Sequence, residues 1–397
     1  MTDSRSATEP AARRLLTLTG LLLVALNLRP ALTSVSPVLT RIGHDLGLAS
    51  AGQGLLTTLP VLCLGLAAPL APRLARRAGP ERAVLLVLIA LALAILGRPY
   101  SGEAGMFIGT ALAGGCIGVL GVLLPGLVKR DFPNNVSVMT GLYTMSLCLG
   151  ASLAAGATEP LRLVFSGAWR PALAFWLVLA VIAAVAWIAQ MHAVRKPAAP
   201  SGGPRRVHRD PLAWQITAFM GLQSSLAYTV FGWLPTILSD RGMAAVSAGL
   251  ALSVSILVQL ASAIIAPAIG ARMRDQRAVL TTVMLTTLIG LGGCLYAPIG
   301  SIWFWVVVLG LGQGGTFSMA LTLLALRAPN AETAAELSGM AQGVGYVLAA
   351  LGPLAVGLIH QFFGSWSAVG VLVGLIGLAA IAAGLGAGRD RLVTAHH

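Results

Sequence analysis

Stretches of about twenty apolar residues, separated by short polar loops, recur from one end of this chain to the other. In the first part they cover roughly 15–40, 51–72, 81–98, 104–128, 135–160 and 169–192. Residues 193–210 interrupt the pattern with Arg195, Lys196, Pro197, Pro200, Gly202, Gly203, Pro204, Arg205, Arg206 and Arg209, a mixture of charge, proline and glycine that reads as a flexible linker. Six more runs follow at 211–238, 245–270, 277–297, 301–326, 333–361 and 366–387. Each run is near the ~20 residues that a helix needs to cross a hydrocarbon core. The ~10-residue alternating segments of a membrane β-barrel do not occur. The pattern predicts an all-α polytopic membrane protein with twelve spanning helices. It divides into an N-terminal bundle (1–192), a linker (193–210) and a C-terminal bundle (211–397).

Composition agrees. The chain is 57% hydrophobic and 10% charged, more apolar surface than a soluble domain could hide. The first run is longer than a signal-peptide core and no small-residue cleavage site follows it, so it is expected to stay as the first helix. Net charge +13 raises the question of nucleic acid, but the basic residues sit in short loops and build no continuous face. Their distribution is topological. With the N-terminus in the cytoplasm, 20 of the 26 Lys and Arg fall on the cytoplasmic side, and 5 (Arg41, Arg98, Arg162, Arg170, Arg241) on the outer side. That asymmetry follows the positive-inside rule and predicts two cytoplasmic termini in an inner (cytoplasmic) membrane.

The residue left over is Arg29, deep in the first run in Leu26-Asn27-Leu28-Arg29-Pro30. An arginine at a helix centre costs about 3 kcal/mol on insertion scales. Counting from residue 15, Arg29 lies about 21 Å into the membrane at 1.5 Å per residue, too deep to reach water easily. Pro30 removes a backbone donor beside it and loosens the helix there. The nearest acid on another outward-running helix, Glu159, lies at a depth of about 36 Å, a mismatch of ~15 Å. Arg29 therefore either binds an anion or a strong dipole, or is satisfied structurally by carbonyls and water.

Internal similarity at a spacing near 198 residues divides the chain again. Ser36-Pro37 matches Leu234-Pro235, Ser50-Ala51-Gly52 matches Ser247-Ala248-Gly249, and Ala68-Pro69 matches Ala266-Pro267. Arg82-Ala83-Val84-Leu85 matches Arg277-Ala278-Val279-Leu280, and Thr140-Gly141-Leu142 matches Ser338-Gly339-Met340. Five matches in the same order indicate duplication. The repeat places Ala227 opposite Arg29, so the charge is one-sided.

Polar side chains collect near the depth of Arg29: Asn27, Tyr143, Thr144, Gln223, Ser224, Ser225, Tyr228, Gln313, Gln342 and Tyr346, with Gln259 a weaker member. Each alone is as well explained by a helix–helix hydrogen bond as by cargo; together they predict a small polar cavity. Glycine pairs four apart (Gly105/Gly109, Gly114/Gly118, Gly310/Gly314, Gly339/Gly343, Gly370/Gly374) predict close helix packing, since no Gly-Lys-Ser/Thr follows to make a phosphate loop. The four cysteines all fall in apolar runs and read as free thiols. The six histidines are scattered and no cluster has metal-ligand spacing, so neither an enzyme, a metal nor a cofactor is expected.

The chain resembles a major facilitator superfamily transporter, most of all the cyanate/nitroimidazole branch. The resemblance rests on Asn27-Leu28-Arg29-Pro30, on the run from Ala68 to Arg77, on Leu123-Leu124-Pro125-Gly126 through Phe132-Pro133, and on Met139-Thr140-Gly141-Leu142-Tyr143. It implies alternating access of two six-helix bundles, a small anionic or strongly dipolar solute as partner (a cyanate-like anion or a small nitro-heterocycle), and a monomer in the lipid bilayer. Arg29, Asn27, Tyr143, Gln223, Ser224, Tyr228, Gln313, Gln342 and Tyr346 are the candidate substrate contacts. After the second run this chain departs from the superfamily signature: Pro72 stands for its first Gly, Arg76 for its Asp, and Pro80-Glu81 for its basic pair. Arg73, Arg76, Arg77, Lys129 and Arg130, with Glu81 and Asp131 as the acids of those loops, are the candidate gating set, weighed against simple topology-setting charge. The alternatives are a multidrug efflux pump of the same fold, and a non-transporting membrane sensor.

Overall fold

The computed structural model describes residues 11–190 and 207–393, and among these every regular element is a helix. The first apolar run is a broken rod: α1 (Ala11–Asn27), α2 (Pro30–Thr33), a 3-10 turn (Ser36–Val38) and α3 (Leu39–Leu46). Pro30 and Pro37, which lack an N–H for the helical ladder, stand at the breaks. The first half continues with α4 (Ser50–Ala67), α5 (Leu70–Ala78), α6 (Pro80–Gly97), α7 (Gly102–Asp131), α8 (Val136–Val164), α9 (Trp169–Ala174) and α10 (Leu177–Gln190). The second half is α11 (Pro211–Asp240), α12 (Ala245–Gly270), α13 (Arg277–Tyr296), α14 (Ile302–Leu326), α15 (Ala331–Phe363) and α16 (Trp366–Ala387). These bounds match the apolar runs to within a few residues.

Most of the linker expected at 193–210 lies outside the described residues. Its end is a 3-10 turn (Val207–Arg209) followed by Asp210, whose carboxylate accepts the Leu212 N–H at 2.7 Å and caps α11. Among the described residues, eleven spans are long and apolar enough to cross a membrane. The twelfth, α11, has the length, at 30 residues, but less hydropathy, and it is buried along almost its whole course. A helix sheathed in protein needs no lipid-facing apolar surface, so it can carry the polar side chains Gln223, Ser224, Ser225 and Tyr228.

Glycines set the closest helix contacts. A Cβ on Gly114 or Gly118 would lie 2.3 Å and 2.2 Å from the Pro60 and Leu64 carbonyls, so α7 touches α4 backbone to backbone. Gly310 and Gly314 bring α14 onto α12 in the same way, against the Ser255 and Gln259 carbonyls. Gly339 and Gly374 face open space, so their motifs do not make such contacts.

Call the face that carries both ends of the described chain the terminal side. There each half is braced by one arginine after its fourth long helix. Arg130 pairs with Glu81 at 2.7 Å and with Asp131 at 2.6 Å, while Glu81 is nearly buried. At the repeat-related place Arg327 donates to Gln276 and to the Gly388 carbonyl (3.0 Å), and its own carbonyl accepts the Val393 N–H at 2.8 Å. The expected gating set is therefore divided. Glu81 and Asp131 hold Arg130, whereas among the described residues Arg73 reaches only the carbonyl of Pro69, just before its helix, and Arg76 and Arg77 are exposed.

The two halves meet along α4 against α15 and α8 against α12. Among the described residues, the hydrogen bonds between the halves all lie away from the terminal side. Ser36 Oγ donates to the Gly232 carbonyl (3.0 Å), and Ser50 Oγ meets His360 Nδ1 (3.2 Å). The Ala51 N–H donates to Gln361 Oε1 (2.9 Å), and Ser152 Oγ meets Ser253 Oγ (2.7 Å). A Cβ on Gly357 would lie 2.5 Å from the Ser50 carbonyl oxygen, so the seam admits no side chain there.

Candidate binding cavity

Pro30 shapes the site before any side chain does. It leaves the Leu26 carbonyl without its usual ladder partner, and the chain turns between α1 and α2. α8 closes on that turn through Gly150, whose Cβ would lie 2.0 Å from the Leu26 carbonyl oxygen. Arg29 sits at the turn (φ −107°, ψ −29°), and its carbonyl accepts the Leu32 and Thr33 N–H groups that start α2. The break thus carries Arg29 into a space between the two halves.

That space is a small cavity, about 60 Å³ measured to the centre of a water-sized sphere. At ~10–15 Å³ per water on this measure it has room for a handful of waters or a solute of a few heavy atoms. The first half supplies Arg29 and, from α8, Thr144, Leu147, Cys148 and Ala151. The second half supplies Ser224, Ala227, Tyr228 and Phe231 from α11, Gln259 from α12, and Gln313 and Phe317 from α14. Arg29 and its repeat partner Ala227 thus line the same chamber. A second hollow of about 20 Å³, lined by Thr57, Thr110 and others, shares the Tyr228 and Phe231 rings, which form a partition between the two.

Arg29 is the charged group of this chamber. Among the described residues it has no carboxylate partner; the groups in its electrostatic reach are Tyr228, Tyr346, Cys148 and Tyr143, all neutral near pH 7. Its guanidinium lies over the Phe231 ring, 5.6 Å from the centroid. Tyr228 stands edge-on to Phe231 (centroids 6.0 Å apart) and to Tyr346 (6.2 Å), so the aromatic wall is braced from α15. Glu159, at its mismatched depth, pairs instead with Arg162 (2.8 Å) and Arg41 (3.2 Å).

The expected contacts fall into groups. Arg29, Ser224, Tyr228 and Gln313 line the cavity, and Tyr143 and Tyr346 stand behind its wall within reach of the charge. Asn27 does not reach it: its amide donates to the Leu23 and Leu179 carbonyls, both at 2.9 Å, and ties α1 to α10. Gln223 bonds back to Ser224 Oγ (2.7 Å) and the Met220 carbonyl, and Gln342 donates to Ser338 Oγ (2.7 Å); neither is among the lining residues. The sequence reading missed Phe231, because an apolar ring in an apolar run carries no signal of its own. It also missed Arg98, assigned to an outer loop but 1% exposed. Its guanidinium donates to the Ala31 carbonyl (2.7 Å) and Ser34 Oγ (3.2 Å), which anchors α2 just beyond Arg29.

The chain is similar to known proteins at the level of family, of relatives and of fold. The family model described as Major Facilitator Superfamily matches residues 21–353. The 2-nitroimidazole transporter of Escherichia coli (strain K12) is 39% identical over 388 residues, covering 95% of this chain and 96% of that protein. The cyanate transport protein CynX of the same strain is 31% identical over 348 residues, covering 87% and 90%. The solved structure of a D-xylose–proton symporter superposes with a TM-score of 0.74 over 96% of this chain and 97% of that one; at 12% identity this likeness concerns the fold alone.

Proposed function

This chain belongs to the major facilitator superfamily and is a membrane transporter of that fold; on that premise we propose that it moves a small anionic or strongly dipolar solute by alternating access of its two halves. The observation that carries this reading is Arg29, a permanent cation facing a small chamber between the halves with no carboxylate to neutralise it among the described residues. An anion, or the negative end of a dipole such as a nitro group, supplies the missing partner.

The size of the chamber supports a solute of a few heavy atoms over the larger cargo of a multidrug pump. Among the described residues no Asp or Glu lines it, so it offers a cationic drug no counter-charge. The names of the relatives, a 2-nitroimidazole transporter and a cyanate transport protein, suggest the same class. If the positive-inside distribution sets the orientation, the terminal side is cytoplasmic. The hydrogen-bonded seam then closes the outer side.

The test is uptake into proteoliposomes of cyanate and of 2-nitroimidazole by the wild type, Arg29→Ala and Arg29→Lys. Arg29→Ala is expected to lose both fluxes. Wild-type rates from Arg29→Ala would sink the electrostatic reading. A Lys variant as poor as the Ala variant would assign the contact to forked, planar hydrogen bonding, beyond charge alone.

A further inference from the structure

On the wall supplied by the second half, two amides face each other. Gln259 Nε2 of α12 donates to Gln313 Oε1 of α14 at 3.3 Å. Among the described residues this leaves Gln313 Nε2 buried with no acceptor, although the residue is only 2% exposed and lines the cavity. A buried donor left without a partner is costly, and proteins rarely retain one. The pair is also built with care. It sits where Gly314 brings the two helices together: a Cβ there would lie 2.2 Å from the Gln259 carbonyl oxygen and 2.4 Å from Ser262 Oγ.

We propose that the Gln259–Gln313 pair is a second recognition pole. Gln313 Nε2 donates to an acceptor atom of the solute, while Arg29 holds the anionic or nitro-like end. Gln259 positions that donor by occupying Gln313 Oε1. This rests on the reading of Arg29 given above and narrows it: the solute is small, planar and carries a second acceptor besides its anionic or nitro-like group. One acceptor group is read by the first half of the transporter and the other by the second. A solute that satisfies both poles bridges the halves, so recognition and closure draw on the same two contacts. A solute with one acceptor leaves Gln313 unpaired and is selected against.

The probes are 2-nitroimidazole, which has a ring nitrogen acceptor besides its nitro group, and 2-nitropyrrole, which lacks it. Wild-type proteoliposomes are expected to favour 2-nitroimidazole by about tenfold in kcat/KM, the worth of one good hydrogen bond. Gln313→Leu is expected to erase that preference by losing 2-nitroimidazole uptake while keeping 2-nitropyrrole uptake. Gln313→Met keeps the length and removes the donor; it serves if the Leu variant does not fold, and should also lose the preference. Retention of the tenfold preference in a folded Gln313 variant overturns the proposal. The Arg29 reading fails separately, if Arg29→Ala carries both probes at wild-type rates, and the ring-nitrogen preference remains readable in that case.

Discussion

Arg29 and Phe231 face each other across the boundary between the halves, the guanidinium carbon 5.6 Å from the ring centroid. One lies at the break in the first membrane run and the other on α11, so the contact ties the charge of one half to the aromatic wall of the other. A desolvated cation over an aromatic face contributes roughly 1–2 kcal/mol. Phe231→Leu is therefore expected to raise KM for cyanate or 2-nitroimidazole about three- to tenfold with little change in kcat, while Phe231→Trp stays near wild type. An unchanged KM in the Leu variant would remove Phe231 from the site.

Gly150 should tolerate no side chain. Its Cβ would lie 2.0 Å from the Leu26 carbonyl oxygen, at the very turn that aims Arg29. Gly150→Ala should cost on the order of 1–3 kcal/mol, as overpacking does, and lower uptake with it. Gly141→Ala is the control on the same helix, since nothing lies within 4 Å there. Thermal unfolding in detergent, followed by size-exclusion, compares the two; equal melting temperatures would contradict the packing described.

Among the terminal-side arginines of the first half, Arg130 should matter most to stability. Arg130→Ala strands the nearly buried carboxylate of Glu81, and breaking an ion pair that keeps some water contact costs about 1–3 kcal/mol. The triple variant Arg73→Ala/Arg76→Ala/Arg77→Ala should unfold at nearly the wild-type temperature, because none of those side chains holds a carboxylate among the described residues. The reverse order would restore these three residues as the main brace.

The seam away from the terminal side can be read with a native cysteine. Cys148 lines the cavity, so its labelling by a membrane-impermeant thiol reagent applied from the seam side reports opening. In a background lacking Cys63, Cys116 and Cys294, Ser50→Ala with Ser152→Ala removes two hydrogen bonds between the halves. At about 1 kcal/mol each, labelling should speed up at least tenfold. No acceleration would mean that other contacts set the closed state.

Much of this protein is legible in its sequence, because spans and loops differ in the one property that a bilayer reads most strongly. The apolar runs predict the helices to within a few residues, and Arg29 stands out by cost alone. What the runs do not encode is which way each helix is turned. In a membrane helix both the lipid face and the packed face are apolar, so the usual one-sided stripe is missing. Asn27, two residues from Arg29, therefore looked like part of the site, yet it points at α10 and bonds the Leu179 carbonyl. Arg98 misled in the opposite direction: a charge at a run's end reads as a loop residue, and only the position of Ala31 and Ser34 draws it inward. Thr144 and Gln313 were found as members of a level, since depth follows from counting residues whereas orientation does not.

The polarity of α11 has a consequence for how the protein is made. This helix brings Ser224, Tyr228 and Phe231 to the chamber and falls below the hydropathy of the other spans. A nascent segment partitions into lipid according to its own side chains, before its eventual neighbours exist. The segment that does most to form the second wall of the chamber is thus the one least able to leave the translocation channel alone. Its biogenesis calls for company, with α15 and α16, the helices it packs against most extensively, supplying in the finished fold the surroundings that lipid does not.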